Sequence, residues 1–486
     1  MAPGGRFDAI LFALGNRDYR IYTAGNICSH FGMWAYRIAL QWLTWKLTGS
    51  AFWLGAIAMA YLFPTVFLTP IAGAITERVN RLGMMLFSML FTTAQAIVLA
   101  YCCFTDIVTI ELVFILTLLL GLVLAINHPV RLVIVPNMVG REALASAVAI
   151  NSLIFNVARV AGPSIAGGII AVAGDEWVVG AGIVFAFNAV GNGIFAIALF
   201  SIRVVQEGIT SSKAPLKRIP AEIRAGFSYT FSHSGLGKMI ILLFIVGICG
   251  RTYIDLFAGV VETIFPRGPD ALGMLVSSVG VGAVLGGFWL AQRGYIKGLT
   301  RIVLLNVLIL ALALIVFALS TNFYVAVAAV LIGGFAMTVA GTGEHTLIQA
   351  SVDEHMRGRV VSLYGAISRG CPSLGSLMMG WIGDHVGLRW PIAGGAVICI
   401  ALWAWFYRRR AALAESLETA PQTGKTLRCS RPQVLLRLLA LFPIAIMPSM
   451  PRPISCPILD HGFSALRWAG WPGSLRNQVT GLALSQ

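Results

Sequence analysis

Long apolar runs separated by short polar segments organise most of this chain. Their composition lacks the alternation of apolar and polar residues that membrane β-strands show. Twelve runs occur, at about 20–47, 51–75, 82–104, 107–130, 143–173, 177–202, 238–261, 271–292, 299–320, 322–347, 359–383 and 388–408. Since about 20 apolar residues cross a bilayer core as a helix, the pattern predicts an all-α polytopic membrane protein with twelve transmembrane helices.

The overall composition agrees with this class. Of 486 residues, 58% are hydrophobic and 11% are charged, whereas a soluble domain is about 25% charged. The apolar stretch within "MAPGGRFDAILFALGNRDYR" is short and flanked by charge, so we expect no cleaved signal peptide. The eight cysteines show no metal-site spacing and predict no disulfide framework.

The basic residues predict the orientation of the chain. Lysine and arginine accumulate on the cytoplasmic side of membrane proteins. With a cytoplasmic N-terminus, the outside loops carry only Lys46, Arg267 and Arg389, and the remaining loop arginines and lysines lie inside. Both termini are therefore predicted to be cytoplasmic. Topology accounts for the net charge of +15, and we expect no nucleic-acid binding.

A long polar stretch divides the twelve runs six and six. The predicted domains are an N-terminal half at 1–202, a linker at 203–237, a C-terminal half at 238–410 and a poorly structured tail at 411–486. In the linker, Ile219, Ile223, Phe227 and Phe231 recur every four residues, which predicts an amphipathic surface helix. "NVARVAGPSIAGG" is echoed by "AISRGCPSLGSLMMGW", as expected of two pseudo-symmetric halves.

The charged segment "PIAGAITERVNRLG" follows the second run. With six plus six spans, it resembles the major facilitator superfamily, whose signature loop reads Gly-x-x-x-Asp-Arg-x-Gly-Arg-Arg/Lys. Gly73, Arg78 and Arg81 match, whereas Glu77 stands where aspartate is usual. The resemblance implies a cytoplasmic conformational latch in which Glu77 meets the eleventh helix, with Arg131 as its partner. The two loop arginines could instead be simple positive-inside anchors.

Longer stretches resemble one branch of this superfamily, the drug and siderophore exporters that include the enterobactin exporter. They are "NRDYRIYTAGNICSHFGMWAYRIALQWLTWKLTGSAFWLG", "NHPVRLVIVPNMV", "IQASVDEHMRGRVVSLYG" and "GWIGDHVGLRW", and the likeness runs from about 16 to 410. This resemblance implies export of a small molecule from the bacterial inner membrane, driven by proton exchange. It also implies a monomer in the lipid bilayer that needs no cofactor or metal.

The fifth run contains "ARVAGPSIAG", which resembles the antiporter signature Gly-x-x-x-Gly-Pro-x-x-Gly-Gly. Gly162, Pro163 and Gly167 match, and Arg159 lies within the motif. In antiporters this motif is tied to export. Small residues also form ordinary packing faces between membrane helices, so a purely structural role stays open.

Ionisable side chains within the runs are the main mechanistic candidates, because each costs about 2.5–3.5 kcal/mol to insert. The candidates for the cavity, substrate or proton coupling are Arg37, Gln41, Arg251, Asp255, Glu344 and Arg369. Arg251 and Asp255 are four residues apart, so we expect them on one helix face.

Each charge also has a structural interpretation. Arg251 and Asp255 could form a pair that only neutralises itself, and Arg159 could bind carbonyls freed by the nearby proline. Arg37 could reach water in a wet cavity without touching substrate, and Glu344 could lie in water at the membrane edge.

Asp255 is our hypothesis for the proton-coupling acid, with Glu344 as second choice, since a shielded carboxyl can change protonation when its surroundings rearrange. The excess of arginines favours an anionic or mixed-polarity substrate. The alternatives are an importer or lysophospholipid flippase of the same fold, and a non-transporting sensor or scaffold. No constellation of catalytic residues occurs, so we do not expect an enzyme.

Overall fold

The apolar runs of the N-terminal half are all helices. The computed structural model describes residues 14–76, 80–136, 138–139, 143–202 and 219–418. We name the first six helices spans 1 to 6; they are Arg17–Thr48, Ala51–Thr76, Arg81–Phe104, Ile110–Ile134, Leu144–Val172 and Trp177–Phe200. Asn16 and Asn80 cap spans 1 and 3 by accepting backbone N–H groups with their side chains, as asparagine commonly does.

Span 7 differs from the prediction. In place of one continuous helix over 238–261, it consists of Ser234–Gly250, a 3₁₀ segment at Thr252–Leu256 and a short helix at Phe257–Thr263. The first piece ends at a glycine, a residue of low helix propensity. Spans 8 to 12 are Pro269–Arg293, Leu299–Leu319, Phe323–Ser351, Arg357–Val386 and Arg389–Arg408.

The fold is that of an all-α polytopic membrane protein. Among the described residues, nine helices are long and apolar enough to cross a membrane. Of the twelve spans, those outside this group are spans 1, 4 and 11. Spans 1 and 11 carry several of the polar side chains of the candidate site described below, which lowers their hydropathy.

Spans 1 to 6 make up the predicted N-terminal half, and spans 7 to 12 make up the predicted C-terminal half. In the first half, span 1 packs on spans 5 and 6, span 3 on span 6 and span 2 on span 4. In the second, span 10 packs on spans 8 and 9, and span 7 on span 11. The two halves meet chiefly where span 2 packs on span 11 and span 5 packs on span 8.

Close backbone contact joins the halves toward the predicted extracellular side. A Cβ atom placed at Gly167 of span 5 would lie 2.5 Å from the Pro269 carbonyl oxygen of span 8. Gly55 of span 2 similarly approaches the backbone of Ser376, and Gly380 of span 11 approaches that of Ala51. Only glycine allows such approaches, because it has no side chain.

Polar contacts at the same side form what we call the outer clasp, made of Ser50, Asp384, Lys46 and Glu262. Asp384, near the end of span 11, accepts hydrogen bonds from Ser50 Oγ at 2.5 Å and from the backbone N atoms of Ala51 at 2.6 Å and of residue 52 at 3.1 Å. The carboxylate thus caps the N-terminus of span 2 from the opposite half. Lys46 Nζ lies 2.8 Å from Glu262 Oε1 and links span 1 to span 7.

The linker contributes a helix at Ile219–Ser232; residues 203–218 lie outside the described ranges. Tyr229 Oη donates to Asp353 Oδ2 at 3.0 Å, which holds this helix against the segment before span 11. The His233 imidazole accepts a hydrogen bond from the Leu236 backbone N at 3.5 Å and caps span 7. Burial lowers the pKa of His233, and the nearby Asp353 partly opposes this shift.

A further helix, Arg410–Glu418, follows span 12. Its Leu413 and Leu417 are buried, and its Glu418 accepts hydrogen bonds from the backbone N atoms of Gly298 and Thr300 at the start of span 9. Residues 411–418 of the predicted tail are therefore part of the packed C-terminal half. The rest of the tail lies outside the described residues.

Candidate functional site

One face of span 1 carries most of the polar and aromatic side chains of the candidate site. Asn26, His30, Trp34, Arg37 and Gln41 are spaced by three or four residues, and such residues lie on one side of a helix. All five are at least partly buried. This face contacts spans 4 and 5 of its own half and span 7 of the other half.

The central feature is an ion pair between the halves. Arg37 Nη2 of span 1 lies 3.7 Å from Asp255 Oδ1 of span 7. The other carboxylate oxygen, Asp255 Oδ2, accepts a hydrogen bond from Ser376 Oγ of span 11 at 2.7 Å. The Arg37 guanidinium also lies over the rings of Trp34 and Tyr61, with its Cζ 5.3 and 5.7 Å from their centroids.

A cleft adjoins this pair. Its lining includes Arg37, Gln41, Tyr61 and Asp255 together with apolar side chains of spans 1 and 2. The Gln41 Oε1 atom is buried and has no hydrogen-bond partner among the described residues. Asp255 itself is 7% exposed. The predicted cavity residues Arg37, Gln41 and Asp255 thus lie together.

The expected pairing of Arg251 with Asp255 is wrong. The helix breaks between these residues, and the 3₁₀ segment has three residues per turn. Residues four apart then differ by about 120° around the axis, whereas in an α-helix they differ by about 40°. Asp255 therefore contacts Arg37, whereas Arg251 lies near span 10.

Arg251 lies against span 10. A Cβ atom at Gly341 would be 3.4 Å from Arg251 Nη2, and Glu344 follows one helical turn later on the same face. Glu344 is 3% exposed, and its Oε1 has no hydrogen-bond partner among the described residues. The interpretation of Glu344 as a water-exposed edge residue is therefore wrong. Both residues lie within the C-terminal half.

Arg159 of span 5 extends the aromatic side of the site. Its Cζ lies 5.8 Å from the centroid of the Trp34 ring. This stacking contrasts with the alternative in which Arg159 binds carbonyls freed by the proline. Phe155, one turn earlier, packs edge-on against both His30 and Trp34 at 5.7 Å.

The antiporter-like motif packs on two neighbouring helices. A Cβ atom at Gly162 would lie 2.7 Å from the Trp34 Cβ of span 1, and Gly167 contacts span 8 as described above. Pro163 lies inside the helix of span 5. Near it, Ser277 Oγ of span 8 donates to the Val160 carbonyl at 2.5 Å. The motif therefore joins span 5 to the neighbouring span 1 and to the opposite half.

Arg131 lies in the interior of the N-terminal half. Its Nε donates to Asn127 Oδ1 at 3.2 Å, and its Nη1 lies 3.2 Å from both Asn26 Oδ1 and His30 Nδ1. Its guanidinium stacks over Phe195 at 5.3 Å. Sequence reasoning placed Arg131 in the latch and missed Asn26, His30 and Asn127. The four-residue spacings of Asn26 to His30 and of Asn127 to Arg131 were the signal that could have found them.

The rest of the predicted latch is largely undescribed. Glu77 and Arg78 lie outside the described residues, Gly73 belongs to the helix of span 2, and Arg81 is the first residue of span 3. The latch therefore stays a prediction. Arg369 lies in the middle of span 11 and is partly buried.

The chain matches the family described as transmembrane secretion effector over residues 11–434. The protein belongs to this family. The assignment places it among the transporters of the major facilitator superfamily, in the branch of the drug and siderophore exporters. It is a multi-pass transporter and not an enzyme.

Two relatives of this chain are named as a transporter and as an efflux pump. The staphyloferrin A transporter of Staphylococcus aureus (strain NCTC 8325 / PS 47) is 27% identical, over 80% of this chain and 96% of its own length. The multidrug efflux pump Tap of Mycolicibacterium fortuitum is 24% identical, over 72% of this chain and 85% of its own length.

Among solved structures, a bacterial homologue of the human lysosomal transporter Spinster, in an inward-facing and unoccupied conformation, has a TM-score of 0.63. It is 16% identical, over 86% of this chain and 100% of its own. This likeness concerns the fold.

Proposed function

We propose that this transporter exports a small organic molecule of mixed polarity, siderophore-like or drug-like, in exchange for protons. The observation that carries the proposal is the Arg37–Asp255 pair, which joins the two halves within apolar spans. The names of the two relatives support export of such molecules. We also propose that the protein works as a monomer in the bacterial inner membrane with both termini in the cytoplasm.

Asp255 is the proposed coupling acid. Its carboxylate can bind a proton or a cationic or hydrogen-bond-donating group of the substrate, but not both at once. Competition between proton and substrate for one group produces exchange. Because Asp255 contacts Arg37 of the other half, a change in its protonation also changes the attraction between the halves.

The predicted latch and the outer clasp would act on opposite sides of the membrane. Glu77, with Gly73, Arg78 and Arg81, would hold the cytoplasmic side closed. The outer clasp and the glycine contacts hold the halves together toward the predicted extracellular side. Alternation between these two sets of contacts would move the substrate across the membrane.

The first experiment identifies the substrate by an accumulation assay in whole cells. A bacterium lacking its own exporters is given this gene and tested for reduced accumulation of carboxylate siderophores, catecholate siderophores and macrolides. Uptake into inside-out vesicles then gives the direction, since an importer would not accumulate the compound there.

The decisive experiment replaces the coupling acid. Asp255→Asn keeps the size of the side chain and its contact with Ser376 but cannot titrate. In proteoliposomes, we expect this variant to lose transport driven by an imposed pH gradient while it still exchanges labelled for unlabelled substrate.

Glu344→Gln is the matched control, since it also converts a buried acid to an amide but within one half only. We expect it to retain pH-driven transport. Undiminished pH-driven transport by Asp255→Asn would contradict the proposal, and loss in the Glu344 variant alone would move the coupling role to that residue.

A further inference from the structure

The spans of the predicted N-terminal half carry three arginines whose side chains contact other spans. Arg37 and Arg159 lie near the middle of spans 1 and 5, and Arg131 lies in the last turn of span 4. In the described helices of spans 1 to 6, the acids are Asp18 and Glu111, and each lies in the first turn of its helix. The interior of this half therefore has an excess of cationic groups over carboxylates.

Arg131 is held by neutral groups. Two asparagine oxygens and a histidine nitrogen accept from its Nε and Nη1, each at 3.2 Å. Among the described residues, no carboxylate oxygen lies within 4 Å of this guanidinium. Stacking on Phe195 fixes the plane of the group, so its remaining edge has a defined direction.

Two donors at this place lack a good acceptor among the described residues. Within that part of the chain, Arg131 Nη2 reaches only the Met89 thioether sulfur, at 3.9 Å, and a thioether is a weak acceptor. The Asn127 Nδ2 atom is buried and has no hydrogen-bond partner among the described residues. The two donors are neighbours, because the amide oxygen of Asn127 accepts from Arg131 Nε.

We propose that Arg131 and Asn127, oriented by Asn26 and His30, bind a carboxylate group of the transported molecule. This carboxylate subsite rests on the proposed transport function and names one chemical group of its substrate. An arginine edge beside an amide matches the two coplanar oxygens of a carboxylate, and charge-assisted hydrogen bonds of this kind are strong.

The subsite and the coupling pair lie along the same face of span 1. His30 contacts Arg131, Arg37 contacts Asp255, and His30 and Arg37 are two helical turns apart, about 10 Å along the helix. A substrate of that length with a carboxylate at one end and a hydrogen-bond donor at the other matches both groups.

The test is a binding measurement that needs no proton gradient. Purified full-length protein in detergent is titrated with radiolabelled citrate, a small tricarboxylate, at constant ionic strength, with neutral triethyl citrate as the competing analogue. We expect saturable citrate binding that triethyl citrate does not displace.

Arg131→Gln should weaken citrate binding about tenfold or more, as loss of a charged hydrogen-bond donor implies. Arg301→Gln, which removes an exposed arginine, should leave it unchanged.

A second variant guards against misfolding of the first. Asn127→Asp places a fixed carboxylate beside Arg131 and should raise the melting temperature while it abolishes citrate binding. A merely structural role for Arg131 predicts the gain in stability without the loss of binding.

Each outcome decides the matter. Citrate binding that survives both variants, or the absence of saturable binding to the unmodified protein, overturns the subsite. Failure of the proposed function would appear separately, as pH-driven transport by Asp255→Asn, and would leave the citrate result standing.

Discussion

At the residue scale, two adjacent glycines of span 5 have very different surroundings. Gly167 is the last residue of the antiporter-like motif, Gly168 follows it directly, and both are helical. A Cβ at Gly167 would meet backbone atoms of span 8, at 2.5 Å from Pro269 and 3.2 Å from Asp270, whereas a Cβ at Gly168 would meet nothing within 4 Å. Both residues are glycine, but only Gly167 sets the distance between span 5 and span 8.

This contrast gives a matched pair of variants. Gly167→Ala should force spans 5 and 8 apart and lower stability by about 1–3 kcal/mol, the usual cost of overpacking. Gly168→Ala should be neutral or slightly stabilising, because alanine favours helix. Thermal unfolding of the purified proteins, followed by tryptophan fluorescence, measures both. Equal melting temperatures for the two variants would contradict the assignment.

The sequence does not show which charged side chains of the site contact each other. Arg37 and Asp255 were both named as candidates, yet their pairing depends on the 3₁₀ segment that turns Asp255 away from Arg251. Arg131 was named for the latch, because its place near the end of span 4 is visible in the sequence. The direction of its side chain depends on how spans 1 and 4 pack.

At the scale of elements, the ends of helices carry contacts that hydropathy does not reveal. The carboxylate of Asp384 caps span 2 across the boundary between the halves, and His233 caps span 7 beside the linker helix. Asp384 accepts the N–H groups of span 2 from another helix, whereas His233 is the residue directly before the helix that it caps. The first contact therefore joins the two predicted halves, and the second lies where the linker helix meets span 7.

Removal of the Asp384 cap should loosen the predicted extracellular side. Loss of a side-chain cap costs about 1 kcal/mol, which corresponds to about a fivefold shift in the balance of conformations. Spin labels at Thr105 and Thr321, which are exposed residues of the two predicted halves on this side, measure the distance between the halves. In Asp384→Ala we expect a larger share of long distances between the two labels. Glu176→Ala is the control, since Glu176 precedes span 6 without a side-chain cap. An unchanged distance distribution would rule out a holding role for the clasp.

The His233 cap should make stability depend on pH. Its pKa is lowered in the folded protein because burial disfavours the charged imidazolium. The stability that the neutral ring provides is therefore present above the ordinary value of about 6.5 and is lost as pH falls through the folded pKa. We expect the melting temperature to fall between about pH 7.5 and about pH 5.5. His233→Asn, which keeps a capping group that does not titrate, should show a smaller fall; an identical fall would argue against this cap.

At the scale of the whole molecule, most of the fold could be predicted. Each of the twelve apolar runs is helical in the described part of the chain, with ends within a few residues of the prediction except in span 7. The thickness of the bilayer and the insertion cost of charge impose this pattern directly on the sequence. The break in span 7 and the helix at 410–418 depend instead on local backbone preferences and on packing between distant segments, which leave no trace in hydropathy.

The glycine contacts and the Asp384 cap have a consequence for evolution. They require a glycine or Asp384 on one side, but on the other side they are made to backbone atoms and need no particular side chain. Mutations that reshape the cleft around Arg37 and Asp255 therefore leave these contacts between the predicted halves intact. Under the proposed function, cargo can change through a few interior side chains while these contacts are retained. Such a division agrees with relatives that are named for a siderophore and for multiple drugs.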